Sequence, residues 1–262
     1  NSVLDDSPIT IIKNGTCIHS VKLGGKWKLK LNLPVNSEPY VIHIGEGINP
    51  ESKEEIDELI RWNLFRRKLT GIHGIAMTEK QSKNFSALIW CPDSNLFLFN
   101  KTADIASLKN FTKILFGTDS TLTSDWNIFD NLRTARRLNM LSDEELFYSV
   151  TKISAEYWNL KDTGVISEGY KADIVISGKK SVSSYDSFYN TDPEDILLIL
   201  KSGKIILYDQ SIQDSLPVQE LQKKYHAIAV SGKVKFTNYN ITKILNSLRK
   251  YNLPLLVGME VM

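Results

Sequence analysis

The sequence predicts an α/β protein, part of a parallel strand–helix barrel followed by a small β module. Three observations carry that reading. Apolar strand segments alternate with helical segments between Tyr40 and Thr118, the pattern of parallel βαβ units, with four strands there and an earlier one as a fifth. An eight-stranded barrel takes about 250 residues by itself, far more than this stretch spends, so the pattern is part of a barrel and not a whole one. After about residue 163 the apolar period falls to two, as in antiparallel strands joined by tight turns. The chain therefore divides into residues 1–162, the partial barrel that carries the chemistry, and residues 163–262, the β module with a terminal helix.

The elements follow in order. The first forty residues are irregular, with one short strand at Ile9 to Ile12; "VKLGGKWKLKLNLPVNSEP" alternates apolar residues with lysine, as an edge strand or a lysine-rich excursion would. Tyr40 to Ile44 is a strand. Asn49 and Pro50 supply an N-cap and first helical position, and Ile56, Leu59, Ile60 and Leu64 then recur at helical spacing. A strand in "GIHGIAM" precedes a polar helix near Thr78 to Ser86; "ALIWCP" is a strand ended by Pro92; a helix around Ala103 to Phe111 leads to the strand "KILFGTD". Helices start near Ser124 and Ser142. The second has a capping box, Ser142 with Glu145, and offers Leu146, Phe147, Val150 and Ile153 for burial. Trp126 and Trp158 read as helix-face core. "KADIVIS", "DILLILKSGKIILYD" and "YHAIAVSGKVKFT" are strands, the last two turning at Ser-Gly, and a helix Ile241 to Leu248 closes the module.

Composition narrows the function classes. Lys plus Arg number 32 against 30 for Asp plus Glu, with no run of like charge, which excludes a nucleic-acid or membrane-surface patch. No apolar stretch approaches the roughly 18–20 residues of a membrane span. Two cysteines, Cys17 and Cys91, are too few for a disulfide framework and read as free thiols of a cytoplasmic protein. The chain begins at Asn1, and further sequence upstream is expected.

Chemistry concentrates at strand ends. His43 closes one apolar strand and Glu46 follows three residues later, His73 lies in the next strand, and Asp119 ends "KILFGTD". Taken singly, a strand histidine is usually a satisfied core residue and "GTDS" a common turn. Together they place two imidazoles and a carboxylate at the C-terminal ends of three parallel strands, where barrels build their sites. Those donors suit zinc or a similar divalent ion, which would lower the pKa of its water to about 7, with Glu46 as proton shuttle. His19 stands near another strand end, and His226 reads as structural. Asp93, Ser94 and Asn95 either contact a substrate or close a turn.

The motifs "HIGEG", "GIHGIAM", "WCPDSN", "LFGTDS" and "GVISEGYKADIVI", in that order over about residues 40–180, resemble the amidohydrolase superfamily, in its cytosine-deaminase-like and chlorohydrolase-like branch. The resemblance implies a (β/α)8 TIM-type barrel with a β-sandwich built from both chain ends. It implies His43 and Asp119 as metal ligands, Asp119 also as base, and His73 as a histidine that binds metal, hydroxide or substrate. Glu46 becomes the donor of protons to nitrogen, and Ser94 and Asn95 the pair that shapes the substrate pocket. The cofactor implied is a divalent metal, zinc with iron as the alternative. The reaction implied is deaminase-like hydrolysis of a C–N bond, often in a ring, of a small substrate by metal-held hydroxide.

One departure stands out: the sequence has no His-x-His, which members of that family carry after their first strand. Either the pair lies upstream, or the chain is a non-catalytic, metal-free relative that binds a small ligand or partner. A third reading is an autonomous α/β domain. The partners expected are a small-molecule substrate and either a second copy, as a homodimer, or an N-terminal segment that completes the barrel.

Overall fold

Runs such as Tyr40–Ile44 and Phe85–Trp90 are buried along nearly their whole length, as strands covered on both faces must be. The computed structural model describes residues 16–23, 25–33, 38–221, 224–249 and 259–261. Contacts divide the chain into two units on either side of Gly164 and Val165.

In the first unit five strands pair in parallel: β1 (Thr16–Ile18), β2 (Tyr40–Ile44), β3 (Leu69–His73), β4 (Phe85–Trp90) and β5 (Lys113–Phe116). Spatial order follows chain order with no reversal. Ile18 lies opposite Ile42, Ile44 opposite His73, and Trp90 opposite Phe116, so the C-terminal ends of the strands are level. The early strand expected at Ile9 to Ile12 lies outside the described residues; the strand described ahead of β2 is β1, at Thr16–Ile18.

The helices between the strands refine the sequence reading. The lysine-rich segment is not an edge strand. It forms helix α1 (Trp27–Asn32), because only Trp27 and Leu31, four apart, are buried, while Leu29 between them is exposed. Helix α2 (Pro50–Trp62) has the expected cap, Asn49 Oδ1 accepting from the Ser52 N–H, and buries Ile56 and Leu59 completely; Leu64 lies beyond its end and is exposed. Strand β3 stops at His73 rather than running to Met77. Helix α3 (Glu79–Ser82) is capped by Thr78 and Gln81, and is shortened because the buried Phe85 already belongs to β4. Pro92 does more than end a strand: it opens helix α4 (Pro92–Phe99), which puts Asp93, Ser94 and Asn95 in a first helical turn. Helix α5 (Ile105–Leu108) is capped by Asp104.

Helix α6 (Ile128–Arg137) starts at the Asn127 cap, later than Ser124, so Trp126 precedes the helix and is exposed instead of lining the core. Helix α7 (Asp143–Ser149) keeps the Ser142–Glu145 capping box. A break at Thr151 sends Ile153 into a separate helix, α8 (Lys152–Tyr157). Ala87, Leu115 and Tyr157 form a buried cluster against which Ile89, Ile153 and Trp158 pack.

In the second unit six antiparallel strands lie in the order β11-β9-β10-β8-β7-β6. They are β6 (Ile174–Ser177), β7 (Ile196–Lys201), β8 (Lys204–Asp209), β9 (His226–Val230), β10 (Lys233–Thr237) and β11 (Met259–Val261). Ser202-Gly203 and Ser231-Gly232 each have two successive residues of positive φ, the twist of a primed hairpin turn. His226 opens β9 opposite Thr237, a ladder position. A helix Ser184–Tyr189, which no periodicity announced, precedes β7, and the closing helix spans Ile241–Arg249. Among the described residues, no helix is long and apolar enough to cross a membrane.

Candidate active site

The loops that leave β2 and β3 bring the titratable groups together. Gly45 has φ +60°, and a Cβ there would meet the Ile56 side chain at 2.8 Å, so only glycine lets the chain turn this closely over α2. The Glu55 carboxylate of α2 accepts the Gly45 N–H at 2.8 Å and so holds the start of the loop that carries Glu46. At the end of β3, its last residue His73 (φ 71°) and the following Gly74 (φ 64°) are both left-handed. The Gly74 N–H then reaches the Ile44 carbonyl at 3.1 Å, and the Ala76 N–H the Gly45 carbonyl at 3.0 Å. The two loops are thereby fastened to each other.

Three imidazoles stand in a row across neighbouring strands. The ring centroids of His19 and His43 are 5.3 Å apart, and those of His43 and His73 are 5.4 Å apart. His19 is exposed and His73 buried. His73 Nε2 is 3.5 Å from Glu46 Oε1 and 3.9 Å from Asp119 Oδ2, beyond good hydrogen-bond length in both cases. His43 Nδ1 and His73 Nε2 are buried without a hydrogen-bond partner. The carboxylates stay reachable from solvent, with 34% of the Glu46 side chain and 23% of the Asp119 side chain exposed.

Electrostatics follow from this crowding. Burial first, then the neighbouring His73, pushes the His43 pKa below the ordinary imidazole value, against the opposite pull of Glu46. Burial also raises Glu55, assisted by the Glu46 carboxylate. The Cys91 thiol is pushed up by burial and by Asp119 and Glu46, which keeps it protonated and inert.

The first turn of α4 supports the cluster from one side. The Ser94 hydroxyl donates to Asp119 Oδ2 at 2.6 Å and lies 2.9 Å from Thr123 Oγ1. Asn95 Oδ1 is 2.8 Å from His73 Nδ1. Neither Ser94 nor Asn95 has exposed surface. Asp93 accepts from the Asp125 N–H and the Thr134 hydroxyl, tying α4 to the segment around α6. Asp119 itself has φ 62°, so two non-glycine residues of the cluster hold left-handed backbone. Such conformations cost of order 1–3 kcal/mol each and collect at functional sites.

The structure thus gathers His43, Glu46, His73 and Asp119, with Ser94 and Asn95 behind them and His19 beside them. His226 belongs to the other unit. Thr102, Thr123 and Glu55 were missed by sequence reading; Thr102 and Thr123 are ordinary loop residues and Glu55 one of several acidic residues of α2, and their partners lie 7 to 29 positions away. A cavity of about 510 Å³ opens at the opposite ends of β4 and β5, lined by Phe85, Lys109, Lys113 and Glu145, and shares no residue with this cluster.

Donor chemistry decides whether a metal fits. Donors on one zinc at about 2.1 Å stand about 3.4 Å apart in a tetrahedron, close to the spacing of His73 Nε2 from the two carboxylates. The orphaned imidazole nitrogens are the atoms a cation would satisfy. Among the described residues, however, no group of three or more histidine, cysteine or acidic side chains is placed to hold a metal ion by itself. The residues fit part of a coordination shell.

A family model described as the amidohydrolase family matches residues 37–206. The chain is 25% identical over 210 residues to a 5-methylthioadenosine/S-adenosylhomocysteine deaminase of Carboxydothermus hydrogenoformans, covering 69% of this chain and 47% of that protein. It is 24% identical over 224 residues to a protein of the same name from Desulfitobacterium hafniense, covering 71% and 52% respectively. The chain spans about half the length of the curated relatives it matches. Among solved structures, guanine deaminase from C. acetobutylicum with bound guanine aligns with a TM-score of 0.52 at 16% identity, over 64% of this chain and 48% of that one. A mutant atrazine chlorohydrolase of Arthrobacter aurescens, complexed with zinc and atraton, aligns with a TM-score of 0.50 at 20% identity, over 64% and 44%. At these identities the structural likeness speaks for the fold.

Proposed function

The chain belongs to the amidohydrolase family, and from that premise we propose that it is the C-terminal part of a (β/α)8-barrel enzyme that hydrolyses a C–N bond of a small molecule, as a deaminase does. The observation that carries the reading is the convergence of His43, Glu46, His73 and Asp119 at level strand ends, with two imidazole nitrogens left unpaired. The unreversed strand order supports a barrel, since doubly wound sheets reverse theirs. The deaminase names of the relatives support C–N chemistry.

His43, His73 and Asp119 would hold a divalent metal, zinc, with the remaining ligands supplied from outside this chain. Such an ion supplies Lewis acidity that brings the pKa of a water from 15.7 to about 7. The chain's own groups do the rest. Ser94 fixes Oδ2 of Asp119 by donating to it, which orients the carboxylate to take a proton from the attacking water. As the water oxygen bonds to the amine-bearing sp² carbon, Glu46, more exposed than Asp119, gives one proton to the ring nitrogen and takes one back from the new hydroxyl; the C–N bond breaks, and the proton held by Asp119 leaves on the ammonia or amine. His73 faces the same point through Nε2. The partial donor set favours one second reading, a metal-free relative that binds a small ligand.

Elemental analysis of the full-length protein separates the two. Near-stoichiometric zinc, lost in His43→Ala and in Asp119→Ala, is expected; Glu46→Gln should keep the metal while lowering turnover of ring amines by about 10²–10⁴-fold. Metal-free protein, or an undiminished rate in Glu46→Gln, overturns the hydrolase reading.

A further inference from the structure

We propose, resting on that reading of the site, that Asn95 is a positioning residue that sets the tautomer of His73, and that Thr102 and Trp90 hold Asn95 in the orientation that does so. The four side chains form one buried chain of hydrogen bonds. The Trp90 indole N–H, which can only donate, gives to Thr102 Oγ1 at 2.7 Å. The Asn95 Nδ2 amide donates to the same oxygen at 3.1 Å. With the amide in this arrangement its other end, Oδ1, faces His73 Nδ1 at 2.8 Å. A carbonyl oxygen accepts and never donates, so Nδ1 carries the imidazole proton.

In neutral imidazole the lone pair then sits on Nε2, the atom 3.5 Å from the Glu46 carboxylate and 3.9 Å from that of Asp119, which has no hydrogen-bond partner. The proton on the closed side and the lone pair on the open side are what a cation-facing histidine needs. Asn95, Trp90 and His73 are 0%, 0% and 1% exposed, so water cannot compete with this order. A substrate cannot reach Asn95 either, which assigns it to His73 and not to the pocket wall. The amide does this without adding a third charge beside two carboxylates.

The test is nitrogen-15 NMR of the His73 ring in metal-stripped, full-length protein at about pH 8, above the imidazole range. Wild type is expected to show protonated Nδ1 and bare Nε2. Asn95→Leu should lose that preference, Thr102→Val should weaken it, and Asn95→Asp, whose carboxylate still accepts, should retain it. Zinc titration is the second readout: affinity about 10–100-fold weaker in Asn95→Leu and restored in Asn95→Asp. A wild-type ring protonated on Nε2, or an Asn95→Leu ring identical to wild type, overturns the proposal. If Asn95→Leu does not fold, wild type and Thr102→Val decide. Because the tautomer is read without metal or substrate, its failure leaves the hydrolase reading standing, and the reverse also holds.

Discussion

The two units bury ionisable side chains and treat them in opposite ways. In the antiparallel unit Lys235, 1% exposed, spends its three ammonium protons on Asp209 Oδ2 at 2.8 Å, the Ile196 carbonyl at 2.7 Å and the Glu194 carbonyl at 3.0 Å. Asp209 accepts from Ser211 as well, through both its hydroxyl and its N–H. Buried Asp195 is met by Lys180, Lys233 and the Asp192 N–H. In the parallel unit, by contrast, His43 Nδ1 and His73 Nε2 are buried and bonded to nothing. An unpaired buried polar atom costs about 1–3 kcal/mol, so a fold retains it where something outside the protein completes it. Arg67 Nε is unpaired as well, but the two imidazole nitrogens stand together at the strand ends where the proposed site lies.

The strongest way to break that distinction is to unpair a structural charge. Lys235→Met leaves Asp209 buried without its cation and should cost about 3–5 kcal/mol. The double variant Lys235→Met/Asp209→Leu removes both charges and should recover at least half of that loss. Hydrogen exchange of the β8 and β10 amides reads the effect in the unit concerned. A loss below about 1 kcal/mol in the single variant would mean that the ion pair is not the buried staple its geometry indicates.

The converse substitution in the other unit should be mild. His43→Leu replaces a half-buried imidazole whose inner nitrogen has no partner, so exchange protection of β2 should change by no more than about 1 kcal/mol, in either direction. If the proposed function holds, the same variant should bind zinc more weakly than wild type. A destabilisation above about 2 kcal/mol would show that His43 is hydrogen-bonded within the protein, and the contrast between the units would fail for it.

How much of this was legible beforehand depends on the range of the interaction. Period-two and strand–helix alternation announced both sheets because they are local. Ser-Gly announced the hairpins because glycine admits the left-handed backbone they need. That His43, Glu46, His73 and Asp119 lie near one another could be read because strand ends of parallel units converge by topology. The left-handed φ of His73 and Asp119 could not be read, since neither residue type requires it. Nor could the role of α4: Pro92 was readable as a strand stop, but only the helix that it opens turns Asn95 inward on His73 and Ser94 on Asp119. The segment around Trp27 misled because alternating lysines satisfy a strand pattern and a one-turn i,i+4 pattern equally well; burial of Trp27 and Leu31 alone separates them.

The smallest effect expected is one of pH, and it sharpens the comparison because the two units should respond in different ranges. His43 has a folded-state pKa below its ordinary 6.5, chiefly through burial and then through His73. The unfolded chain therefore binds the proton more readily, and the stability that a neutral His43 secures is complete above pH 6.5 and is lost as pH falls from there towards the folded value. Asp209 moves the other way. Burial raises its pKa, but the hydrogen bonds from Lys235 and Ser211 outweigh that and bring it below 3.8, so its contribution is present above pH 3.8 and is lost as pH falls through the folded value. In metal-free protein taken from pH 7.5 to pH 5 at constant salt, β2 and β3 amides should lose protection while β8 and β10 amides keep theirs. In His43→Leu the early loss should be smaller. Equal loss in both units over that range would place the acid sensitivity elsewhere than in the unpaired histidine.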